Sequence, residues 1–564
     1  MGLYLLDYGA GNVQSLANTL RRLGHDFQWV AAPDDLRKAS CLIFPGVGAF
    51  GSAVASLQAK GLLEPLRQYI ASGKPYFGIC IGMQVLFQAS AESPGLSGLG
   101  LIPATIEEFS NADKTVPHMG WNAADVLDSE DKSDEGLDKS AHYYYVHSFR
   151  AAYDPEHNPE AAQWVHSTTQ YGQEVFVASV RKDNVFGTQF HPEKSGDAGL
   201  KIISAWLNES EASRSAAPPT PRKPRPPRPR DGLTKRIVAC MDVRSNDDGD
   251  LVVTKGDQYD VREKAPAAGQ SQAGGAVRNL GKPVALAARY YTAGADELCL
   301  MNITSFRHSP LRDQPMLAVV RAAAEEVFVP LTIGGGIKDT VDPDGTKRSA
   351  LEVAGLYFRA GADKVSIASE AVYAVERMRQ RASLTPDSHD LGEGDGTSAI
   401  ETIAHAYGRQ AVVVSIDPRR VYVDPSYDGP YKQELIIGRP GTEDEGKAWW
   451  YQCTVSGGRE TRPLSVVQLA RGVEKLGAGE IILNSIDRDG TGKGFDIDLI
   501  NLVRRNVRIP LVASSGAGSA KHFVEVFERT GVEAALAAGI FHRGEVGISE
   551  VKEALSAAGL NARK

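Results

Sequence analysis

The chain has 564 residues, too many for one hydrophobic core, and its hydrophobic and charged contents of 42% and 23% are those of an ordinary globular protein. The net charge of −8 argues against a nucleic-acid partner, and no apolar run is long enough to cross a membrane. The five cysteines form no CxxC pair and the first residues are not typical of a signal peptide, so we expect a cytoplasmic protein of two large domains with no metal site.

Residues 1–208 contain short apolar runs that alternate with helical patterns. CLIFPG (41–46) and YFGICIG (76–82) are typical of buried strands that end in glycine turns, and VFGTQFHPEKS (185–195) is typical of a strand that enters a loop. This alternation predicts an α/β domain with a mainly parallel sheet.

Cys80 lies between Gly78 and Gly82, where one of these runs meets a helical pattern. A cysteine alone is more typical of a small packed hydrophobe. The two glycines, however, permit the sharp strand-to-helix turn that exposes a nucleophile, and His191 and Glu193 have the spacing of a base and the carboxylate that orients it. The pattern therefore predicts a Cys–His–Glu catalytic triad.

The segment PGVGAFG (45–51) matches the glycine spacing of a dinucleotide-binding loop. Pro45 stands where the tight turn of such a loop begins, and the domain already has a nucleophile. We therefore favour a backbone oxyanion donor near Val47 and Gly48. The acidic stretch within 128–140 is interpreted as a loop insertion.

Residues 209–232 are rich in proline, arginine and serine and have almost no large apolar side chains. Such a segment cannot bury a core, which predicts an extended linker. Its arginines are interpreted as solvated, rather than as a patch that binds RNA or membranes, because no aromatic residues lie between them.

Residues 233–564 contain eight candidate strands separated mostly by helical patterns, which predicts a (β/α)8 TIM barrel. The two halves resemble each other: VPLTIGGGI (329–337) matches IPLVASSGAG (509–518), so a two-fold internal repeat is expected. Four stretches lack either periodicity and are interpreted as loop insertions, near 244–251, 263–276, 383–398 and 424–463.

Barrel enzymes carry function at the C-terminal ends of their strands, and Asp242 and Asp417 end two strands that face each other across the mouth. Either aspartate alone fits a helix cap, but the symmetric pair predicts a general acid and a general base. The glycine-rich loops at 334–337 and 514–518 predict two phosphate sites, and hence a substrate with a phosphate at each end. Without a ligand they would be ordinary tight turns.

Two acids and two bases lie at the opposite, N-terminal ends of four strands: Arg236, Glu297, Lys364 and Glu480. From the residues alone, surface ion pairs and a charged ring across the bottom of the barrel both fit this placement.

The first domain resembles the class I glutamine amidotransferases and, more narrowly, the glutaminase of the imidazole glycerol phosphate synthase family. The resemblance rests on PGVGAFG, FGICIGMQ (77–84), HMGWN (118–122), YYYVHSF (143–149) and GTQFHPEKS (187–195). It implies that Cys80 attacks the carboxamide of glutamine, that His191 carries the proton and that Glu193 orients His191.

The second domain resembles the cyclase of the same family in RIVACMD, IGGGI, ADKVSI, AVVVSID, SIDRDGT and LAAGIFH, and the fused order resembles the single-chain eukaryotic form. This implies that Asp242 and Asp417 act as general acid and base. Ammonia and a bis-phosphate ribotide would be converted to imidazole glycerol phosphate and aminoimidazole carboxamide ribotide. The reaction is a step of histidine biosynthesis and would need no cofactor. Asn302 stands where bacterial members have an aspartate, so we assign it no acid–base role. The predicted substrate-binding residues are Lys255, Gly335, Gly336, Ser366, Asp487, Asp489, Gly490, Ser514, Gly516, Gly518 and Gly539.

The resemblance also assigns Arg236, Glu297, Lys364 and Glu480 to a gate for ammonia. The glutaminase should then dock on the bottom of the barrel, respond to ligands in the barrel, and require no separate subunit. One alternative is a pyridoxal-phosphate synthase that uses a lysine such as Lys364 for a Schiff base, but it leaves the paired aspartates unexplained. A non-catalytic scaffold is another, and the intact triad argues against it.

Overall fold

A mixed eight-stranded sheet lies at the centre of the N-terminal part of the molecule, and a closed barrel forms the C-terminal part. The computed structural model describes residues 2–9, 11–46, 48–127, 136–209, 223–245, 251–254, 282–303, 314–342, 344–385, 388 and 390–563. None of the helices in these ranges is both long and apolar enough to cross a membrane.

The N-terminal part consists of strands, α-helices and one 3-10 turn at Pro192–Lys194. The strands are β1 (Leu3–Leu6), β2 (Gln28–Val30), β3 (Cys41–Phe44), β4 (Tyr76–Ile79), β5 (Phe87–Ser90), β6 (Ile102–Glu108), β7 (His118–Asn122), β8 (Asp125–Val126), β9 (Tyr143–His147), β10 (Phe149–Arg150), β11 (Val165–Tyr171), β12 (Glu174–Lys182) and β13 (Val185–Thr188). The helices are Gln14–Arg22, Pro33–Lys38, Phe50–Ala59, Leu63–Ala71, Ile81–Gln84, Pro159–Ala162 and Gly196–Leu207.

The central sheet has the order β2-β1-β3-β4-β13-β12-β11-β8. Strands β2 to β13 of this order run parallel, and the remaining pairings are antiparallel. Strands β3 and β4 are buried along their whole length, as expected for parallel strands covered on both faces. Because β4 and β13 are parallel neighbours, their C-terminal ends bring Cys80 beside the segment that carries His191.

The barrel closes because its last strand pairs with its first. Its eight parallel strands are β14 (Arg236–Ser245), β16 (Glu297–Asn302), β17 (Leu331–Gly334), β20 (Lys364–Ile367), β21 (Val412–Ile416), β26 (Glu480–Leu483), β27 (Leu511–Ala513) and β28 (Ala534–Ala537). The helices of this part are Pro283–Thr292, Gln314–Glu326, Ala350–Ala360, Ser369–Arg381, Ala399–Tyr407, Val466–Leu476, Ile497–Arg504, Ala520–Thr530, Gly539–His542 and Ile548–Ala557, with 3-10 turns at Arg409–Ala411 and Lys432–Glu434.

Local sequence explains why the outer helices begin and end where they do. Ser349, Ser398 and Ser465 each accept a hydrogen bond from a backbone N–H in the first helical turn, and a Glu or Gln three residues later completes a capping box. Gly361 and Gly477 end two of these helices with positive φ angles of 115° and 107°. The expected (β/α)8 barrel is therefore confirmed in both topology and local signals.

Two of the expected loop insertions contain β-structure, so their interpretation as loops was wrong. Strand β14 runs through residues 244 and 245 and forms a hairpin with β15 (Leu251–Thr254). Residues 424–463 contain β23 (Ile436–Ile437), β24 (Ala448–Val455) and most of β25 (Glu460–Ser465), and β24 also pairs with β22 (Pro418–Val423). Strand β24 is buried on nearly every residue, so it lacks the alternation that marks a half-exposed strand.

The other insertions carry less structure where they are described. The described residues of 383–398 form neither helix nor strand, as expected. The stretch 263–276 and most of the acidic stretch, 128–135, lie outside the described residues. A second, short hairpin follows the third barrel strand and pairs β18 (Thr340–Val341) with β19 (Lys347–Arg348).

The N-terminal part docks on the bottom of the barrel, where the loops lead into the strands. Trp121 Nε1 donates to the carbonyl of Asp296 at 3.0 Å, immediately before β16. Asn12 Nδ2 donates to the carbonyl of Gly361 at 2.9 Å, shortly before β20, and the backbone N–H of Gly196 donates to Phe328 before β17. The expected docking face is therefore the observed one.

The described residues 223–232 of the linker form neither helix nor strand, and they are not simply solvated. Tyr153 Oη donates to the Lys223 carbonyl at 3.0 Å, and the Arg228 N–H donates to Gln170 Oε1 at 2.7 Å. Arg225 forms an ion pair with Asp125. This part of the linker therefore packs along the N-terminal sheet rather than spanning open solvent.

Candidate active sites

Cys80 occupies a strained elbow between β4 and the short helix Ile81–Gln84. Its φ and ψ angles are 51° and −102°, which a non-glycine residue rarely adopts. Both flanking glycines are needed: a Cβ on Gly78 would lie 2.3 Å from the Gly82 carbonyl oxygen, and one on Gly82 would lie 1.9 Å from that of Phe44. Strain at this position is consistent with the predicted nucleophile elbow.

His191 and Glu193 follow β13 and face each other. The distance from His191 Nδ1 to Glu193 Oε1 is 2.8 Å, and both side chains are buried. Burial lowers the pKa of His191, but the Glu193 carboxylate and then the Cys80 sulfur raise it to about 10. This environment favours the imidazolium form of His191, which can give a proton to a leaving group.

The expected oxyanion segment lies beside Tyr8, which interacts electrostatically with the Cys80 sulfur. A Cβ on Gly48 would lie 3.0 Å from Tyr8 Oη, and the Gly48 carbonyl accepts a hydrogen bond from Gln410 Nε2 of the barrel at 3.4 Å. Burial and the Cys80 sulfur both raise the pKa of Tyr8. Val47, the other expected oxyanion residue, lies outside the described residues.

Asp242 and Asp417 lie at the mouth of the barrel, on β14 and directly after β21. Burial raises the pKa of Asp242 to about 7, and the Asp489 carboxylate adds to the effect. Burial also raises the pKa of Asp417. The hydrogen bond that Asn484 Nδ2 donates to Asp417 Oδ1 at 2.5 Å offsets part of this rise. Two carboxylates whose environments differ in this way suit an acid–base pair.

The two glycine-rich loops frame this mouth. Gly335 and Gly336 follow β17 with φ angles of 91° and 77°, and Gly516, after β27, has a φ of 93°. A Cβ on Gly518 would lie 2.4 Å from the Gly492 carbonyl oxygen, so the loop after β27 packs against the loop after β26. Positive φ and close backbone approach are the properties of phosphate-binding turns.

The remaining substrate-binding predictions fall at the same end of the barrel. Ser366 lies in β20, where its Oγ is buried without a hydrogen-bond partner in the described part of the chain. Ser514 follows β27, Gly490 lies in the loop after β26, and Gly539 begins the short helix after β28. Lys255 lies outside the described residues.

Asp487 has a structural partner that sequence reasoning missed. Its Oδ2 accepts the backbone N–H of Arg420 at 2.8 Å. Arg420 itself is buried between Asp444 and Asp496, at 2.8 and 3.1 Å, and lies over the Trp449 ring at 4.3 Å. The β22–β24 insertion is thereby fastened to the loop that carries Asp489.

The four charged residues at the strand starts form a closed, buried ring. Arg236 pairs with Glu297 at 2.7 Å and with Glu480, and Lys364 pairs with the same two acids at 2.7 and 2.6 Å. Each of the four side chains is at most 3% exposed. Surface ion pairs are therefore excluded in favour of a ring across the barrel bottom.

The ring connects to both halves of the molecule. On the barrel side, Thr332 Oγ1 donates to Glu297 Oε1 at 2.6 Å. Two residues of the antiparallel pair β7–β9 approach the ring. Met119 Sδ lies 3.5 Å from Lys364 Nζ. Tyr144 interacts electrostatically with Arg236 and the two glutamates. Sequence reasoning missed Thr332, Met119 and Tyr144, although HMGWN and YYYVHSF contain the last two.

Comparison with known proteins decides the family. A class-I glutamine amidotransferase model matches residues 4–208, and a histidine biosynthesis protein model matches twice, at residues 236–389 and 395–547. Imidazole glycerol phosphate synthase hisHF of Emericella nidulans is 51% identical over 100% of this chain and 99% of its own length. The chain belongs to the fused imidazole glycerol phosphate synthase family.

Two further members of this synthase family are similar over nearly the whole chain. The Schizosaccharomyces pombe protein is 50% identical over 98% of both chains, and the chloroplastic protein of Arabidopsis thaliana is 51% identical over 98% of this chain and 88% of its own. The protein is thus a bifunctional enzyme of histidine biosynthesis, with a glutamine amidotransferase domain and a cyclase barrel. The double match in the barrel agrees with the expected internal repeat.

Proposed function

We propose that Cys80, His191 and Glu193 hydrolyse glutamine. The Cys80 thiolate attacks the carboxamide carbon, the oxyanion is held by backbone N–H groups near Val47 and Gly48, and the C–N bond breaks as His191 gives its proton to the leaving nitrogen. Ammonia departs and a glutamyl thioester remains, which water hydrolyses with His191 as base. The 2.8 Å contact between His191 and Glu193 supports this assignment.

Ammonia then passes to the barrel through the ring of Arg236, Glu297, Lys364 and Glu480. In bulk water most ammonia would be protonated and would lose its nucleophilicity, so a path inside the protein keeps it neutral. The buried ring between the two sites is the observation that carries this proposal, because it lies where the N-terminal hairpin meets the centre of the barrel. For ammonia to pass, the four side chains of the ring must rearrange their ion pairs while the barrel stays folded.

At the mouth, Asp242 and Asp417 act as general acid and base while ammonia adds to the phosphoribulosyl formimino-aminoimidazole carboxamide ribotide. Cyclisation and cleavage then release imidazole glycerol phosphate and aminoimidazole carboxamide ribotide. The two glycine-rich loops, with Lys255, hold the terminal phosphates, and Asp489 lines the site between the two aspartates. The raised pKa of Asp242, about 7, supports proton transfer near neutral pH.

We assign residues 1–208 to the glutaminase domain, 209–232 to the linker and 233–564 to the cyclase barrel. The fusion of both activities in one chain means that no separate subunit is required, and both substrates, glutamine and the ribotide, are small molecules. A cytoplasmic location is supported by the five cysteines, all of which are buried free thiols. The plant relative is described as chloroplastic.

The alternative of a pyridoxal-phosphate synthase needs a lysine that is free to form a Schiff base at the mouth. Lys364 lies instead at the start of β20, buried in two ion pairs at the bottom of the barrel. The alternative of a non-catalytic scaffold leaves unexplained why Cys80 keeps a strained elbow beside a paired His191 and Glu193.

The decisive experiment compares Cys80→Ala with the wild type, following ribotide consumption with glutamine or with an ammonium salt at alkaline pH. We expect the variant to lose turnover with glutamine and to keep turnover with ammonium, because the barrel would use external ammonia. Equal activity with both nitrogen sources would contradict the role of Cys80, and loss of both would contradict an independent cyclase.

A further inference from the structure

The Cys80 sulfur has a second neighbour that the proposed triad does not use. Gln189 Nε2 lies 3.5 Å from Cys80 Sγ, within hydrogen-bond range for sulfur. Gln189 is completely buried, two residues before His191, and its backbone N–H is bonded to the Ala178 carbonyl at 2.8 Å. The side chain therefore reaches the sulfur from a fixed backbone position.

A chain of contacts fixes which end of the Gln189 amide faces the sulfur. The Phe149 carbonyl can only accept hydrogen bonds, and Gln84 Nε2 donates to it at 3.2 Å. The same Gln84 nitrogen donates to Gln189 Oε1 at 3.0 Å. With its oxygen committed to Gln84, Gln189 must present its NH2 group to Cys80. The Phe149 carbonyl is held in turn by His147 Nδ1 at 2.7 Å.

A neutral N–H donor beside this sulfur favours the thiolate over the thiol, since it strengthens as negative charge develops. We propose that Gln189 is a positioning residue for the nucleophile, whose amide stabilises the Cys80 thiolate and holds Sγ in the orientation needed to attack glutamine. This inference rests on the nucleophilic role proposed for Cys80.

Among the described residues, the titratable groups that interact with the sulfur are His191 and Tyr8. Glu193 and His147 interact with His191, and Asp7 and Glu92 interact with Tyr8. Gln189 differs from all of these groups because its amide N–H is a donor that does not titrate. Once the C–S bond of the thioester forms, the sulfur loses its charge and this hydrogen bond weakens, so Gln189 acts mainly on the free enzyme.

The test uses Gln189→Met, which keeps the length of the side chain and removes the donor, in the full-length protein. Iodoacetamide alkylation of Cys80 is followed across pH by mass spectrometry of the Cys80 peptide, without glutamine. We expect the midpoint of alkylation to move to higher pH by about one unit, so that alkylation near neutral pH slows roughly tenfold while the rate at high pH is unchanged. Gln68→Met, on the exposed face of the helix Leu63–Ala71, is the matched control and should keep the wild-type profile.

A second variant guards against misfolding. Gln189→Glu keeps shape and size but places an acceptor near the sulfur, and it should shift the midpoint in the same direction and further. Coincident profiles for wild type and Gln189→Met, or a rate that falls equally at every pH, would overturn the proposal. Failure of the proposed function would be distinct, since it would appear as glutamine-dependent turnover retained in Cys80→Ala whatever Gln189 does.

Discussion

Asp242 is a carboxyl group in a place that disfavours its charge. Burial at the barrel mouth and the nearby Asp489 carboxylate raise its pKa from 3.8 to about 7. A carboxyl whose pKa is raised in the folded state makes that state bind protons more tightly than the unfolded chain. Its effect on stability is therefore absent below the unfolded pKa near 4, grows as a destabilisation between pH 4 and 7, and is complete above pH 7.

Asp242→Asn should accordingly abolish turnover in the barrel and also remove the destabilisation that the buried carboxylate causes. We expect turnover to be lost with glutamine and with ammonium alike, because the acid–base pair is broken. The barrel should unfold at higher denaturant concentration than wild type at pH 8, and this gain should shrink by about 1–3 kcal/mol at pH 5, after allowance for partial exposure. Urea titrations at both pH values measure it, and a gain that does not depend on pH would contradict the assigned environment.

The functional residues that could be predicted from the sequence are those marked by a local sequence pattern or by the internal repeat. Cys80 between two glycines and the repeated aspartates can be recognised without a structure. Gln84 and Gln189 lie inside the same motifs but were missed, because an amide gains significance only from what it touches. Thr332 and Asn484 were missed for the same reason, since their partners are on neighbouring barrel strands.

At the scale of elements, the parallel strands were predictable because each is a buried apolar run followed by a turn. The charged ring was ambiguous, since strand starts alone do not reveal whether side chains point inward. Strand register resolves this: Arg236, Glu297, Lys364 and Glu480 all project into the closed barrel and meet there. The β22–β24 insertion was not predictable by periodicity, because the partners that bury β24 lie on both of its faces.

Lys364→Met tests the ring as a structural element. The substitution leaves Glu297 and Glu480 with one counter-ion, Arg236, in a buried site. We expect the barrel to lose about 3–5 kcal/mol of unfolding free energy, since an uncompensated buried charge is strongly destabilising. Coupling of glutamine hydrolysis to ribotide consumption should also fall.

The matched control is Lys475→Met, which removes an ion pair with Glu393 that is exposed on the surface. It should cost less than about 1 kcal/mol and leave coupling unchanged. Urea denaturation of the two variants at the same pH gives the comparison. A similar loss in both variants would mean that the ring contributes no more than a surface pair.

At the scale of the whole molecule, one carboxylate joins the triad segment to the ring. Asp363 immediately precedes Lys364 of the ring and pairs with Lys194 Nζ, which immediately follows Glu193, at 2.7 Å. Asn12 Nδ2 donates to Asp363 Oδ1 at 2.8 Å. The Leu331 N–H donates at 2.8 Å to Oδ2, the oxygen that also pairs with Lys194. Three segments from both domains thus converge on one side chain between the two active sites.

Asp363→Asn should weaken communication between these sites while sparing each of them. The amide keeps an oxygen for Asn12 but loses the charge that holds Lys194, so the backbone beside Glu193 is no longer tied to the start of β20. We expect turnover with glutamine to fall roughly tenfold, a typical coupling energy, while turnover with ammonium stays close to wild type. Asp34→Asn, which breaks an exposed ion pair with Arg37, controls for the loss of one carboxylate.

The quantity to measure is the turnover rate with glutamine divided by the turnover rate with ammonium. General damage to the barrel lowers both rates and leaves this ratio unchanged. A ratio equal to that of wild type would show that Lys194 and Asp363 fasten the domains without linking their activities. A lower ratio, with the triad and the aspartates intact, would identify this ion pair as the contact through which the barrel controls its ammonia supply.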